Sequence, residues 1–467
     1  MVNLSRLILP LFLVLGCQGA NIVEERAAQA QKPLSSGSDI AQVKSKDNFV
    51  RVDGLTLRQG SDQQQHYLSA LNYWSCMNLA AGKEADGDYQ RLLEELDQMA
   101  EAGINHLRVM AASEGSPTRQ PFRILPALQT SPGRYDEDVF VGLDRCVAEA
   151  AKRGFRLTMV LGNTWQWTGG LAQLYSWAHK DQEIPYPRSW NISAAPQRHD
   201  GVHAGWGNWT RASDGPFNEM TNKFYTDEAA QKIYNGHVLK VLHRKNTVNG
   251  LVYSQDPAIM AWEPINEPQV QGDYSRPHPE DAMIRWHNSV AALIKANTPH
   301  QLVTTGFEGK QGRDYFRAIA QSRDIDYACS HIWPHIWGYY DMLDASKENL
   351  NRALDFVKDY IANAEKWASE LGKPLFVEEF GFPRDNWLLD VTKGDYQYGS
   401  RATTTHRDAL FQQVLSQVWE SYSEKRGLVG AAPWSYGGIS RPETQILTKQ
   451  GIVWSGDPPQ ERTCWSP

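Results

Sequence analysis

The chain has 467 residues, of which 41% are hydrophobic and 22% charged, with a formal net charge of −7 at pH 7. These values are ordinary for a soluble globular protein and argue against a nucleic-acid partner. The unusual feature is 17 Trp beside 19 Tyr. Such rings have flat apolar faces and a polar edge, which suits stacking against sugars.

The N-terminus predicts an exported protein. Arg6 precedes an apolar run, residues 7–15, that is too short to span a bilayer as a helix. We therefore predict a signal peptide over residues 1–20. Two outcomes stay open. The residues before Cys17 resemble a bacterial lipobox, which would leave Cys17 lipid-anchored to a membrane, whereas cleavage a few residues later would release a secreted protein.

We interpret the remaining chain as a linker followed by one domain. Residues 21–46 are rich in Ala, Gln, Ser and Glu without apolar periodicity, which predicts a flexible linker. We assign residues 47–467 to a single catalytic domain. The five Cys are spaced too widely and irregularly for a zinc site or a small disulfide scaffold. One or two disulfides are compatible with the sequence, which does not assign their pairing.

Short apolar runs alternate with helical patterns along this domain, as is typical of βα units on a parallel sheet. The expected strands lie at residues 67–74, 106–112, 156–163, 259–267, 301–308, 326–333, 374–381 and 430–438. Helical patterns cover residues 88–103, 139–154, 281–297, 350–371 and 405–425. Eight strands alternating with helices predict an α/β fold, the (β/α)8 TIM barrel.

Polar and aromatic residues lie where these strands end. In chain order they are Trp74, Arg108, Asn163, Asn266 with Glu267, Glu308, His331, Glu379 and Trp434. The C-terminal ends of barrel strands converge on one face, where active sites lie. We therefore predict that these side chains surround one cleft. Arg108 carries a fixed charge that would keep a neighbouring carboxylate ionised.

Two carboxyl groups suggest glycoside hydrolysis. Glu267 ends the fourth strand in Asn266-Glu267-Pro268, and the seventh strand ends with Glu378 and Glu379. Carboxyls roughly 5–5.5 Å apart can act as acid/base and nucleophile with retention of anomeric configuration. Side chains alternate along a strand, so only one of Glu378 and Glu379 is expected to enter the cleft, and alternation does not decide which.

The connection between the third and fourth strands is long and rich in Trp. A loop of that length is usually functional or has structure of its own. We expect two or three of its indole rings to line the cleft and the others to pack the loop. These residues are Trp165, Trp167, Trp177, Trp190, Trp206 and Trp209.

Longer motifs carry a resemblance to a known family. They are Asn163-Thr164-Trp165-Gln166-Trp167-Thr168-Gly169-Gly170, Phe224-Tyr225-Thr226-Asp227, Arg244-Lys245-Asn246-Thr247 and Asp256-Pro257-Ala258-Ile259-Met260-Ala261-Trp262-Glu263. With them the chain resembles the β-mannanase subfamily of glycoside hydrolase family 5, clan A, over residues 49–460. The family places its nucleophile directly before the aromatic residue of Glu-Phe-Gly, and this implies Glu379.

The resemblance also implies roles for the neighbouring residues. Arg108 and Asn266 would hold the catalytic carboxylates and the sugar 2-hydroxyl. His331 would lie near the acid/base, Trp434 would form the floor of the −1 subsite, and Trp165 would contact sugar.

Two departures from the family pattern stand out. Trp333 replaces a Tyr that in many members contacts the nucleophile, and its indole N–H can donate a hydrogen bond without a phenol's acidity. The chain also ends at residues 462–467, where relatives continue into a further helix, so we expect the C-terminus to be short or truncated.

The leading hypothesis is a retaining endo-β-1,4-mannan hydrolase that uses Glu267 and Glu379, binds mannan or manno-oligosaccharide as a monomer, and needs no metal or cofactor. An exo-acting β-mannosidase is the close alternative, with the insertion at residues 384–405 closing the distal subsites. Activity on β-glucans and a non-catalytic sugar-binding lipoprotein are further alternatives.

Overall fold

The computed structural model describes residues 48–60, 64–82, 87–115, 124, 126–186, 215–270, 278–385, 387 and 403–438. The signal peptide, the Cys17 anchor, the linker and the C-terminal end lie outside these residues, so they stay predictions. Within the described ranges, no helix has the length and apolar character needed to cross a membrane.

Strands and helices alternate along the described chain. The strands are β1 (Arg51–Asp53), β2 (Thr56–Gln59), β3 (Gln64–His66), β4 (Leu68–Asn72), β5 (His106–Met110), β6 (Gln129–Ser131), β7 (Arg134–Tyr135), β8 (Arg156–Val160), β9 (Ile259–Glu263), β10 (Leu302–Val303), β11 (Ala328–Ile332), β12 (Leu375–Phe380) and β13 (Leu428–Pro433). The helices are α1 (Cys76–Leu79), α2 (Tyr89–Glu101), α3 (Glu137–Lys152), α4 (Gly170–Ala178), α5 (Gly215–Lys223), α6 (Glu228–Leu242), α7 (His278–Asn297), α8 (Arg313–Ala320), α9 (Lys347–Ser369) and α10 (Thr405–Glu424).

Eight of these strands form one parallel sheet in the order β10-β9-β8-β5-β4-β13-β12-β11. Its outer strands, β10 and β11, are joined by single backbone hydrogen bonds instead of a regular ladder. Asp326 N donates to Val303 O at 2.8 Å, and His331 N donates to Glu308 O at 3.0 Å. The sheet therefore closes into the predicted (β/α)8 barrel, and each predicted strand overlaps one barrel strand.

Most barrel strands end earlier than predicted, because the chain bends into the cleft. β9 stops before Pro264, which has no N–H to continue a ladder. β10 has only two residues, and Gly306 beyond it adopts a φ of 64° that a side chain would disfavour. The residues after these strands therefore leave the sheet and project toward the active-site face.

The helices begin at residues that satisfy their first backbone N–H groups. Asp136 accepts from Val139 N before α3, Asp227 from Ala230 N before α6, and Ser346 from Asn349 N before α9. Buried faces of the helices pack against the outside of the barrel in one large apolar cluster. A second apolar cluster lies at the end of the barrel where the strands begin. There Val50 and Leu57 of the N-terminal segment pack against the first residues of the strands, including Leu68 and Leu302.

A disulfide joins Cys76 of α1 to Cys146 of α3, across a sequence separation of 70 residues. Cys329 is a free, buried thiol on β11. Cys17 and Cys464 lie outside the described residues. Sequence spacing gave no means of choosing this pair, because the pairing depends on α1 and α3 meeting in the fold.

We expect the Cys76→Ser/Cys146→Ser double variant to lose about 4 kcal/mol of unfolding free energy, because a cross-link over a loop of this length restricts the unfolded chain. Urea unfolding followed by tryptophan fluorescence measures this change. Dithiothreitol should destabilise the wild type but not the double variant. A wild-type protein insensitive to dithiothreitol would contradict the assignment.

Candidate active site

The segment after β9 places Glu267 at the mouth of the barrel. Asn266 N donates to Gly162 O at 2.9 Å, and Glu267 N donates to Gly306 O at 2.8 Å, so loops on both sides hold it. Glu267 has a φ of 52°, in the left-handed region that side chains other than Gly rarely adopt. Backbone strain of this kind is often found at functional sites.

A β-bulge places both neighbouring glutamates of β12 inside the barrel. Ser330 of β11 pairs with Val377 and His331 pairs with Glu379, so Glu378 has no partner of its own. An extra residue of this kind breaks the alternation of side chains along a strand. Both side chains therefore lie near Arg108: Glu378 Oε1 is 3.8 Å from Arg108 Nε, and Glu379 Oε1 accepts from Arg108 Nη1. Of the two, Glu379 reaches the cleft beside Glu267, in keeping with the expectation that only one of them enters it.

Arg108 on β5 connects polar side chains of three other strands, β4, β9 and β12. Its guanidinium donates twice to Glu263, with Nε–Oε2 at 2.7 Å and Nη2–Oε1 at 2.6 Å. It also donates to Asn72 Oδ1 at 3.0 Å, to Asn266 Oδ1 at 2.7 Å and to Glu379 Oε1. The planar, forked guanidinium can make all these bonds at once, which an ammonium group could not.

His331 lies between the two candidate catalytic carboxylates. Its Nδ1 is 2.8 Å from Glu267 Oε1 and 3.3 Å from Glu379 Oε2. One oxygen from each carboxylate and one ring nitrogen all lie within 4.8 Å of one another. On the far side of the ring, Nε2 is 3.6 Å from Glu378 Oε2. The buried histidine is therefore in contact with the carboxylates on both of its edges.

Asn163 fixes the other side of Glu267. Its Oδ1 accepts from Asn266 Nδ2 at 3.0 Å and from Trp165 N at 3.1 Å. The Trp165 indole Nε1 in turn donates to Glu267 Oε2. Both oxygens of the Glu267 carboxylate thus have a hydrogen-bonding partner, which sets the plane of the group.

Indole rings enclose the carboxylates. Trp74, Trp167, Trp333 and Trp434 belong to one buried cluster, with Trp165 and Trp337 packed against it. The Trp167 ring is in edge contact with Trp74 and Trp434 at centroid distances of 6.0 and 5.8 Å. Trp333 lies in this wall, and no hydrogen bond joins its indole to Glu379, although both residues are described. Trp333 therefore occupies the position of the family's Tyr without forming a hydrogen bond to the proposed nucleophile.

Burial and neighbouring charges control the protonation of the cluster. Burial, reinforced by the Glu267 carboxylate, raises the pKa of Glu379 to about 8, against the opposing effects of His331 and Arg108. The charge of Arg108 lowers this pKa, as expected of a neighbouring cation, but burial has the larger effect. Burial also acts on Glu267, but the hydrogen bond and charge of His331 lower the pKa of Glu267 below its ordinary 4.5.

The surrounding groups belong to the same electrostatic cluster. Burial lowers the pKa of His331, but the carboxylate of Glu379 and hydrogen bonds outweigh it and raise the pKa well above 6.5. Burial raises the pKa of Glu263 to about 7 despite Arg108, and that of Glu308 to about 7. Titrations coupled this closely belong to the whole cluster. Glu267 and Glu379 together retain one proton over the neutral range.

We expect kcat/KM for the β-mannan substrate that the family resemblance implies to form a bell-shaped pH profile. Chemistry that uses one acid and one base needs the pair to hold a single proton. Activity should fall above about pH 8, where the raised pKa of Glu379 releases that proton, and below 4.5, where Glu267 takes up a second one. A rate that declines steadily from pH 6 upward would contradict this assignment.

The structure brings together every predicted site residue: Arg108, Trp165, Asn266, Glu267, His331, Trp333, Glu379 and Trp434. On the Trp-rich connection, Trp165 and Trp167 face the cleft and Trp177 packs against the core. The other three Trp residues lie outside the described residues. The connection forms α4, α5 and α6, so it has structure of its own.

Two residues that were not predicted from the sequence, Asn72 and Glu263, accept hydrogen bonds from Arg108. They are the last residues of the largely apolar strands β4 and β9, and both are fully buried. A polar side chain at such a position is costly unless it has a partner, and this was a signal that could have been used.

Two groups of side chains offer sets of metal-ligand atoms among the described residues. They are Glu267, His331 and Glu379, and Cys329, His331 and Glu378. In the second group, burial raises the pKa of Cys329 to about 12, which keeps the thiol protonated and makes it a poor ligand. That no metal or cofactor is needed stays a prediction.

This chain is similar to a known enzyme family and to solved structures. A family model described as GH family 5 beta-mannosidase-like matches residues 47–467. A glycoside hydrolase family 5 mannosidase from Rhizomucor miehei has 35% sequence identity and a TM-score of 0.77, over 90% of this chain and 93% of that chain. An endo-1,4-beta-D-mannanase from Thermotoga petrophila has 18% identity and a TM-score of 0.56, over 85% of this chain and 97% of that chain, which shows the shared fold.

A curated relative is similar over most of its length. Mannan endo-1,4-beta-mannosidase 2 from Arabidopsis thaliana is 27% identical over 422 residues, which are 86% of this chain and 80% of that protein. Because the family model spans the whole barrel, the chain belongs to glycoside hydrolase family 5, in its beta-mannosidase-like group.

Proposed function

We propose that this protein hydrolyses β-1,4-mannosidic bonds with retention of configuration. The observation that carries the proposal is the short distance between the carboxylates of Glu267 and Glu379. One oxygen of each lies within 4.8 Å of the other and of a ring nitrogen of His331. Retaining enzymes have carboxyls about 5–5.5 Å apart, whereas inverting enzymes leave about 6.5–9.5 Å for a water molecule. Glu267 and Glu379 match the first arrangement.

His331 contacts both carboxyls, so the single proton that the pair retains can pass to Glu267 before reaction. In the first step, the ionised Glu379 attacks the anomeric carbon while Glu267 protonates the leaving glycosidic oxygen. The bond to the leaving sugar breaks and an ester forms between Glu379 and the mannosyl residue. In the second step, Glu267 takes a proton from water, the water oxygen attacks the anomeric carbon, and Glu379 leaves as a carboxylate. The proton taken from water restores the acid form of Glu267 for the next turnover. His331, 2.8 Å away, holds this carboxyl in place.

The other site residues position these groups and the sugar. Arg108 stabilises the negative charge that Glu379 carries before attack and after release. Asn266, held by Arg108 and Asn163, is oriented to bind the hydroxyl next to the anomeric carbon. Trp434 and Trp165 supply apolar ring faces on either side of the carboxylates, and Trp333 adds to this wall.

Mannan as substrate is supported by the beta-mannosidase-like family model and by the plant relatives, whose names state endo action on mannan. We propose endo-hydrolysis on this basis. A second candidate, exo-acting β-mannosidase, is favoured by two observations. Glu267 and Glu379 are only 6% and 3% exposed, as in a closed pocket. The similar Rhizomucor miehei protein is named a mannosidase, and a mutant of it has been crystallised in complex with mannosyl-fructose.

The test follows the products that the full chain releases from linear β-1,4-mannan over time. Endo action predicts manno-oligosaccharides of mixed length and a rapid fall in viscosity. Mannose alone, with viscosity nearly constant, would establish exo action. Activity on β-glucan but not on mannan would overturn the substrate assignment, and no product from folded protein would overturn the whole proposal.

A further inference from the structure

The loop after β11 exposes an apolar surface next to the cleft. Ile336, Tyr339 and Leu343 are 50%, 40% and 76% exposed, and they account for half of the large hydrophobic side chains exposed among the described residues. Clustered apolar groups on a surface mark a contact site more often than single ones do.

Tyr339 has the geometry of a stacking platform. Its ring lies flat on Phe356 of α9, with centroids 3.7 Å apart and planes 12° from parallel. One face is therefore covered and the other faces solvent. The backbone around the ring is fixed on both sides, because Tyr339 N donates to Pro334 O at 2.8 Å and Arg352 Nε donates to Tyr339 O at 3.0 Å.

Aromatic contacts connect this ring to the catalytic cleft. Phe356 contacts Trp337 at a centroid distance of 6.0 Å, and Trp337 packs against the indole cluster around the carboxylates. Trp337 N also donates to Trp333 O at 3.0 Å, one turn away. We call Trp337, Phe356 and Tyr339 the outer aromatic surface. It continues the cleft wall to the protein exterior.

This surface lies on the leaving-group side of the cleft. Lys310 Nζ is 2.7 Å from Glu308 Oε2 and 5.9 Å from the Trp337 ring centroid. Glu308 lies in the loop that follows β10. In the same loop, the carbonyl of Gly306 accepts a hydrogen bond from Glu267 N. Trp434, in contrast, follows the strand next to Glu379. The acid that protonates the leaving oxygen is therefore on the same side as the outer aromatic surface.

We propose that the outer aromatic surface binds mannosyl residues of the substrate chain beyond the leaving sugar, with Tyr339 as the stacking platform. The inference rests on the proposed mannan hydrolysis and applies to endo and exo action alike, because both leave a chain on this side. Lys310 and Arg352 provide polar groups at its edges, as sugar hydroxyls require.

The test compares kcat/KM for mannohexaose with kcat/KM for mannobiose. Loss of one stacking contact in Tyr339→Ala should lower this ratio about fivefold. Tyr339→Phe keeps the ring face and should restore the ratio. Tyr422→Ala is the matched control, because Tyr422 is 38% exposed but contacts Tyr67 at the opposite end of the barrel. This variant should keep the wild-type ratio.

The outcomes separate the two proposals. An unchanged ratio in Tyr339→Ala, from a wild type that cleaves both substrates, would overturn the outer binding surface alone. Equal losses on both substrates would also overturn it, because they would show a structural role for the ring. A wild type that cleaves neither would overturn the proposed function and this inference with it.

Discussion

Replacing Glu379 by Gln is expected to lower kcat on β-1,4-mannan by about 10⁴-fold or more, since loss of a nucleophile removes the covalent route. The amide has the same shape as the carboxyl and can accept from Arg108, so the fold and the affinity for mannohexaose should be largely kept. Steady-state kinetics and calorimetric binding measure the two effects separately.

Glu378→Gln is the matched control, because it changes the neighbouring buried carboxyl. Glu378 contacts Arg108 and His331 but does not share the close group of atoms formed by Glu267, His331 and Glu379. This variant should lose much less activity. An inactive Glu378→Gln beside an active Glu379→Gln would contradict the assignment of the nucleophile.

The second large effect is expected at Arg108. The Arg108→Met variant leaves Glu263 and Glu379 buried without their cation, and removing one partner of a buried ion pair costs about 3–5 kcal/mol. Turnover should also fall by about 10²–10³-fold, as for loss of a donor to developing charge. Urea unfolding and kcat on mannohexaose test the two effects.

Arg58→Met provides the comparison for stability. Arg58 and Asp53 form an equally short ion pair, 2.6 Å, but both side chains are partly exposed. Loss of such a pair should cost less than about 1 kcal/mol. Equal stability losses in the two arginine variants would contradict a central role for Arg108.

The barrel could be predicted from the sequence because each strand was marked by an apolar run and each helix by the helical spacing of its apolar residues. The polar residues ending those runs, such as Arg108 and Glu379, converge in the structure as expected of barrel strand ends. Strand boundaries were less accurate. Pro264 and Gly306 end β9 and β10 early, and their effect depends on where the neighbouring loops lie.

The features that escaped prediction depend on contacts between distant segments. The bulge at Glu378 appears only when β12 pairs with β11, so alternation along β12 alone could not show that both glutamates lie near Arg108. The bond between Cys76 and Cys146 depends on the packing of α1 on α3. The raised pKa of Glu379 reflects a degree of burial that only the closed barrel establishes, although Arg108 was correctly placed beside it.

The central claim, retention through a Glu379 ester, is tested most directly by proton NMR of the first products from mannohexaose. Double displacement predicts that the new reducing end appears first as the β anomer and converts slowly to the α anomer in water. An α anomer as the first product would show single displacement and would contradict the roles assigned to Glu267 and Glu379.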